Sequence, residues 1–140
     1  MGWRDVLAPG VLKDEIKLWP FDGDLSSLLQ PGMTVVAETY PAQYYAGLFQ
    51  KLVGSKNDQQ VRVKVADKLL SWSMEKGVAL TPHLKSEIEC GFSEGGDDAF
   101  DAVIGLFGMI YAVQNYTLDS EPTDDIIRNI EGWILGQPLS

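Results

Sequence analysis

Carboxylates stand at two places in this sequence where they could hold metal ions. Glu38 ends an apolar, β-branched segment, and Asp97, Asp98 and Asp101 open the longest apolar stretch of the chain. On a helix, residues three or four apart share a face, so Asp101 would lie beside both Asp97 and Asp98. Mg²⁺ and Mn²⁺ prefer carboxylate oxygens, and two such ions about 4 Å apart can hold both reacting oxygens of a phosphodiester. The residue types therefore point to metal-dependent cleavage of phosphodiesters.

Each of these side chains also has a purely structural interpretation. The helix dipole stabilises an acidic residue in a first turn by about 0.3–1 kcal/mol, which would explain Asp97 and Asp98 without a metal. Asp101 is harder to explain in this way, because its immediate neighbours are apolar. Glu38 would equally suit a buried ion pair with a lysine or arginine. The loop residues Ser55 and Lys56 would either contact a substrate phosphate or be solvated.

The elements that must position these side chains follow from periodicity and from turn residues. We expect strands over residues 16–21 and 33–40, the second apolar on both faces with Glu38 near its end. Helices are expected over 25–29, 41–52, 58–76, 81–90 and 97–114, and a final helix or strand over 126–135. Within 58–76, the alternation of valines over 61–65 is also compatible with a strand. Asp24 and Thr81 stand at N-cap positions. Gly105 and Gly108 within the 97–114 helix indicate close packing, which we expect to be against a sheet.

Composition limits the possible classes of protein. The chain has 140 residues, of which 45% are hydrophobic, enough for the core of one domain. Its formal charge of −9 argues against a nucleic-acid coat protein or a polybasic membrane binder, but not against a nuclease whose site is built from carboxylates. One Cys and one His exclude an internal disulfide and a Cys/His metal site. Neither a membrane-spanning run nor a signal-peptide pattern is visible, so we expect no membrane partner and a cytoplasmic location.

Four short motifs occur in an order that carries a resemblance. They are Glu38-Thr39-Tyr40-Pro41, Ser55-Lys56, Asp98-Ala99-Phe100-Asp101-Ala102-Val103 and Glu131-Gly132-Trp133-Ile134-Leu135-Gly136. In this order they resemble an uncharacterised family of predicted nucleases with a ribonuclease H-like fold, and the aspartate helix is similar to that of RuvC-type Holliday junction resolvases. The resemblance implies that Glu38 bridges two Mg²⁺ or Mn²⁺ ions, that Asp101 ligates one of them, and that Asp98 ligates a metal or orients its water.

The chain departs from that pattern at its beginning. The resembled domains start with a hairpin whose first strand carries an essential aspartate, and no such strand is visible before Ile16. We therefore expect residues 1–140 to form a single, incomplete, helix-rich α/β domain of ribonuclease H-like type that lacks the N-terminal hairpin. Two functions remain open at this point. One is a metal-dependent nuclease-like domain, weak or inactive in isolation; the other is a non-catalytic interaction or assembly module derived from such a nuclease.

The expected sheet also makes a prediction about assembly. Without the hairpin, the strand over 34–40 would keep an open edge, and an open apolar edge is a template for pairing with another chain. We therefore expect a homodimer or a higher homo-oligomer, with the two strands either paired directly or completed across the interface. The possible substrate is nucleic acid, and the sequence does not separate DNA from RNA.

Overall fold

The computed structural model describes residues 3–117 and 120–138 and contains both helices and strands, with helices predominating. The described residues belong to two compact units. The first combines the described parts of 1–39 and 116–140, and the second is Tyr40–Asn115. The expected mixed α/β class is therefore confirmed in its coarse form: the described residues are mostly helical and include one small sheet.

The sheet of the first unit consists of two short parallel strands. These are β1 (Ile16–Leu18) and β2 (Thr34–Val36), and Ile16 pairs with Thr34 in the register. One further bond, from the Trp19 N–H to the Val36 carbonyl (2.9 Å), continues the ladder past β1. Of the two arrangements expected for these strands, the structure shows direct pairing. Homo-oligomerisation stays a prediction.

The prediction for residues 33–40 is wrong in length and in burial. β2 covers three residues, Thr34 and Glu38 are exposed, and Val35 and Val36 are half-buried. A run of β-branched residues has the same pattern in a central strand and in a short edge strand, so hydrophobicity alone could not separate the two. Beyond β2, the backbone of Glu38 forms an isolated parallel bridge to Ile134.

A buried carboxylate holds the first unit together. Glu121 is 6% exposed, and it accepts hydrogen bonds from Trp19 Nε1 (2.9 Å), from the Leu25 N–H and from the Tyr116 hydroxyl. Leu25 begins helix α2 (Leu25–Leu28), so Glu121 satisfies one of the free amides of this helix. Asp24 is the N-cap residue, as expected, but its side chain instead forms an ion pair with Arg128 (2.8 Å).

Short helical segments complete the first unit. They are a π-helical turn (Trp3–Leu7), helix α1 (Ala8–Leu12) and a second π-helical turn (Ile127–Glu131). The expected element over 126–135 is thus one turn of helix, followed by the bridge at Ile134.

The second unit is helical and is built around its longest helix. Its elements are a 3₁₀ turn (Pro41–Tyr44) and helices α3 (Tyr45–Leu48), α4 (Gln59–Val63), α5 (Ala66–Glu75), α6 (Pro82–Glu89) and α7 (Gly96–Gln114). Both α6, capped by Thr81, and α7 confirm the sequence predictions. The expected single helix over 58–76 is divided after Val63. Alternate valines in this stretch, Val61, Val63 and Val65, lower helix propensity because their side chains are restricted at χ1.

The inner face of α7 forms the core of the second unit. Phe100, Ile104 and Phe107 are fully buried. Gly108 allows a close approach, because a Cβ at this position would lie 1.9 Å from the ring of Tyr44. The close packing expected at Gly108 is therefore confirmed, but its neighbour is the aromatic ring of the 3₁₀ turn and not a sheet.

Trp72, on α5, completes this core. Its ring stacks on Phe107 with centroids 5.0 Å apart and an interplanar angle of 23°. The Trp72 Nε1 is buried and has no hydrogen-bond partner among the described residues. Such an unsatisfied donor costs about 1–3 kcal/mol, which the aromatic packing must outweigh.

No helix in the described ranges combines the length and the apolar character needed to cross a bilayer.

Candidate functional site

The two groups of candidate carboxylates belong to different units. Glu38 lies in the first unit, whereas Asp98 and Asp101 lie on α7 in the second. Neither unit by itself therefore contains the three carboxylates expected at a metal site. Their convergence stays a prediction.

Glu38 stands just beyond β2 with its side chain in solvent. Its carbonyl accepts a hydrogen bond from the Leu135 N–H (2.8 Å), which fixes the backbone at the strand end. Because the side chain is exposed, the alternative of a buried ion pair at Glu38 is wrong. The bridge to Ile134 joins the first of the four sequence motifs to the last.

The first two turns of α7 present their aspartates on two faces. Asp97 and Asp101, one turn apart, are partly buried, whereas Asp98 is exposed. Both Asp97 and Asp98 lie where the helix dipole favours negative charge, as the structural interpretation expected.

Asp101 forms an ion pair with Lys56, from the loop before α4. The Lys56 side chain is 39% exposed and that of Asp101 is 28% exposed, so water screens the pair only in part. The hydrogen bond that Lys56 donates to Asp101 is the main cause that raises the pKa of Lys56 above its ordinary value. The negative charges of Asp101 and Asp97 raise it further. Lys56 thus lies in the field of two aspartates of α7.

Tyr45 is the next titratable neighbour of this pair. Burial raises the pKa of the Tyr45 phenol, and the negative charge of Asp101 raises it further. A phenol with a raised pKa stays protonated at neutral pH and acts as a hydrogen-bond donor, not as a base. Lys56, Asp101 and Tyr45 therefore form one electrostatically linked cluster in the second unit.

Arg62 holds the backbone from which Lys56 projects. Its side chain is 5% exposed. The guanidinium donates from Nη1 to the Lys56 carbonyl (2.6 Å) and from Nε to the Gly91 carbonyl (2.8 Å). This buried cation links the Lys56 loop to the turn after α6. Arg62 was not among the predicted site residues, although its position between Val61 and Val63 was the available signal.

The remaining residues of the loop shape its backbone. The Ser55 hydroxyl accepts a hydrogen bond from the Asn57 N–H (3.3 Å), and the Asp58 side chain caps α4 by accepting from the Gln60 N–H (2.9 Å). Ser55 is exposed, so its side chain has both a local structural contact and access to solvent. Its predicted phosphate contact stays a prediction.

Among residues 3–117 and 120–138, no group of three or more His, Cys, Asp or Glu side chains is placed to hold a metal. One carboxylate oxygen of Asp101, Oδ2, accepts a hydrogen bond from the Lys56 ammonium. The predicted requirement for Mg²⁺ or Mn²⁺ therefore stays a prediction.

Comparison with known proteins returned no match to any family model, curated protein or solved structure.

Proposed function

We propose that this chain is a non-catalytic interaction module with a ribonuclease H-like ancestry. The observation that carries the proposal is the ion pair between Lys56 and Asp101. In a metal-dependent nuclease, the bound cation neutralises the charge of the helix aspartate. Here a lysine of the same unit supplies the positive charge, and a buried arginine holds the loop that bears this lysine.

The free energy of the ion pair between Lys56 and Asp101 sets the cost at which a metal ion could displace Lys56. A partly exposed ion pair contributes about 0–1 kcal/mol, so Lys56 alone would not exclude a divalent ion that had further ligands. The described part of the second unit offers no such set of ligands. A metal near Asp101 would also repel the adjacent ammonium. Binding to a partner is therefore better supported than hydrolysis.

Removing the lysine charge tests this proposal directly. We expect Mn²⁺ titrations followed by calorimetry to show no stoichiometric site in the native chain or in Lys56→Met. Neither protein should cleave single- or double-stranded nucleic acid in the presence of Mn²⁺. Lys64→Met, an exposed position in the same segment, is the matched control for loss of one positive charge. Cleavage that requires Mn²⁺ and disappears in Asp101→Asn would contradict the proposal.

A metal-dependent nuclease is the second candidate. It is favoured by the exposure of Glu38 and Asp98, neither of which takes part in an ion pair among the described residues. In this proposal Glu38, Asp98 and Asp101 hold Mg²⁺ or Mn²⁺, and Ser55 and Lys56 contact the phosphate. Paramagnetic Mn²⁺ would then broaden the amide resonances of residues 38 and 98 together. Broadening of only one of them would exclude a shared site.

A further inference from the structure

A groove runs between α6 and the first turns of α7, with a cavity volume of about 500 Å³. Its apolar lining includes Leu84, Phe92, Ala99 and Val103. Phe92 is buried and packs its ring edge against Phe100 with centroids 5.9 Å apart, so the floor of the groove belongs to the core of the second unit. We refer to this feature as the α6/α7 groove. It is a formed concave surface with small side chains along one wall.

The wall on α7 continues as an exposed apolar stripe. The stripe consists of Ala99, Ala102, Leu106, Met109 and Val113, spaced alternately by three and four residues. Leu106 is 46% exposed and Val113 is 41% exposed. Alternate spacings of three and four are those of a helix surface that packs against a second helix. With Phe100, Ile104 and Phe107 buried on the inner face, α7 is apolar on two sides.

The end of the groove that faces the start of α7 is acidic. Glu87 and Glu94 line the groove, and Asp98 lies one helical turn before Ala102. None of these three carboxylates takes part in an ion pair among the described residues. His83 is the one lining residue that can carry a positive charge. An occupant that places cations at this end would therefore meet three carboxylates whose charge no described lysine or arginine neutralises in an ion pair.

We infer that the α6/α7 groove and the stripe bind an amphipathic helix with basic residues, contributed by a partner protein. This inference rests on the proposed function as an interaction module. The stripe spans fourteen residue steps, or about 21 Å of helix, which suits a partner helix of four turns. The apolar face of the partner would cover Leu106 and Val113, and its lysines or arginines would meet Glu87, Glu94 and Asp98.

Charge argues against a second copy of this chain as the occupant. In a parallel arrangement, the aspartates of the two α7 helices would face each other. In an antiparallel arrangement they would face the partner's residues 102–115, which contain no charged side chain. The formal charge of −9 adds repulsion between copies over longer distances. A basic partner helix would avoid the repulsion between aspartates and would supply the positive charges that residues 102–115 of a second copy lack.

Binding of a synthetic probe to the full chain tests the inference. The probe is a fluorescein-labelled helical peptide of about 18 residues with leucines at the stripe-facing positions and lysines beside them. A second peptide carries glutamate in place of lysine. We expect saturable binding of the lysine peptide, measured by fluorescence anisotropy, and binding at least about tenfold weaker for the glutamate peptide. The affinity of the lysine peptide should fall as salt is increased.

Variants locate the binding on the surface. Leu106→Gln should weaken binding of the lysine peptide about tenfold, since it removes apolar contact at the centre of the stripe. Met74→Gln is the matched control, because Met74 is 78% exposed on α5 and should leave binding unchanged. The double change Glu87→Gln and Glu94→Gln should reduce the salt dependence, whereas Glu75→Gln should not. Circular dichroism confirms that each variant is folded.

Three results would overturn the inference. The first is equal weakening by Leu106→Gln and Met74→Gln, which would show non-specific adhesion. The second is equal affinity for the two peptides. The third is self-association, seen by sedimentation equilibrium and abolished by Leu106→Gln, which would make a second copy the occupant. Mn²⁺-dependent cleavage is a separate result, since it would contradict the proposed function without changing where the peptide binds.

Discussion

The two units of this chain bury charge in opposite ways. In the first, the carboxylate of Glu121 gathers donors from an indole, a backbone amide and a phenol. In the second, the guanidinium of Arg62 donates to two backbone carbonyls beside a core of aromatic rings. The buried charges are thus structural, whereas the candidate site residues Glu38 and Asp98 are exposed.

The largest expected effect comes from the aromatic core of the second unit. Phe107→Ala should destabilise the chain by about 3–5 kcal/mol, because it removes a fully buried ring and leaves a cavity beside Trp72. Leu106→Ala, the neighbouring position on the exposed face, should cost less than about 1 kcal/mol. Urea denaturation measures both values. Equal losses of stability in the two variants would mean that the inner and outer faces of α7 do not differ in burial.

The polar core of the first unit should respond to a change of a single atom. Glu121→Gln keeps the shape of the side chain but replaces one acceptor oxygen with a donor NH₂ group. We expect a loss of about 2–3 kcal/mol, since hydrogen bonds to a charged group contribute roughly 1.5–3 kcal/mol. Hydrogen exchange should show the lost protection in β1 and α2. Glu131→Gln, at an exposed position, is the control and should change stability by less than about 0.5 kcal/mol.

Alkaline pH should affect the first unit through Tyr116. Burial, and after it the hydrogen bond to Glu121, raise the pKa of Tyr116 above its ordinary value of 10.0. The folded state therefore holds this proton more tightly than the unfolded state does. The resulting stability is fully present below pH 10 and is lost as the pH rises above it. Tyr116→Phe should flatten the fall of the unfolding free energy with pH above about pH 10, where the phenol of the unfolded chain ionises while that of the folded chain stays protonated. An unchanged slope would show that folding does not raise the pKa of Tyr116.

The smallest expected effect is that of the ion pair that carries the proposed function. Lys56→Met should change stability by no more than about 1 kcal/mol, because the pair is partly exposed. Arg62→Met should cost more, because it leaves the Lys56 and Gly91 carbonyls without their buried donor. If Lys56→Met were more destabilising than Arg62→Met in urea denaturation, Lys56 and not Arg62 would organise the loop.

Local signals in the sequence predicted the features that local forces determine. Thr81 as an N-cap and the periodicity of α7 gave two helices with nearly correct bounds. Asp24 was identified as the N-cap of α2, but its side chain is used by Arg128, 104 residues away. Two of the three partners of Glu121, Trp19 and Leu25, lie 102 and 96 residues away, and the nearby Tyr116 alone gives no signal that this acidic residue is buried.

The candidate site shows the same limit. Spacing correctly placed Asp101 on the same helix as Asp97 and Asp98, and motif order brought Lys56 into the list of candidates. The ion pair between Lys56 and Asp101 depends on how the loop before α4 packs, and the residue types of that loop do not encode it. The predicted length and burial of the strand over 33–40 were wrong for a similar reason, because the burial of a strand depends on which elements cover it.

The stacking of Trp72 on Phe107 has an optical consequence. An indole with a buried N–H and an aromatic neighbour at 5.0 Å is shielded from solvent relaxation, so its fluorescence emission lies at short wavelength. The fixed ring geometry also gives a near-ultraviolet circular dichroism band that disappears when the rings separate. Trp72 is thus a built-in spectroscopic reporter on the folding of the second unit, and Trp72→Phe supplies the background spectrum against which its signal can be isolated.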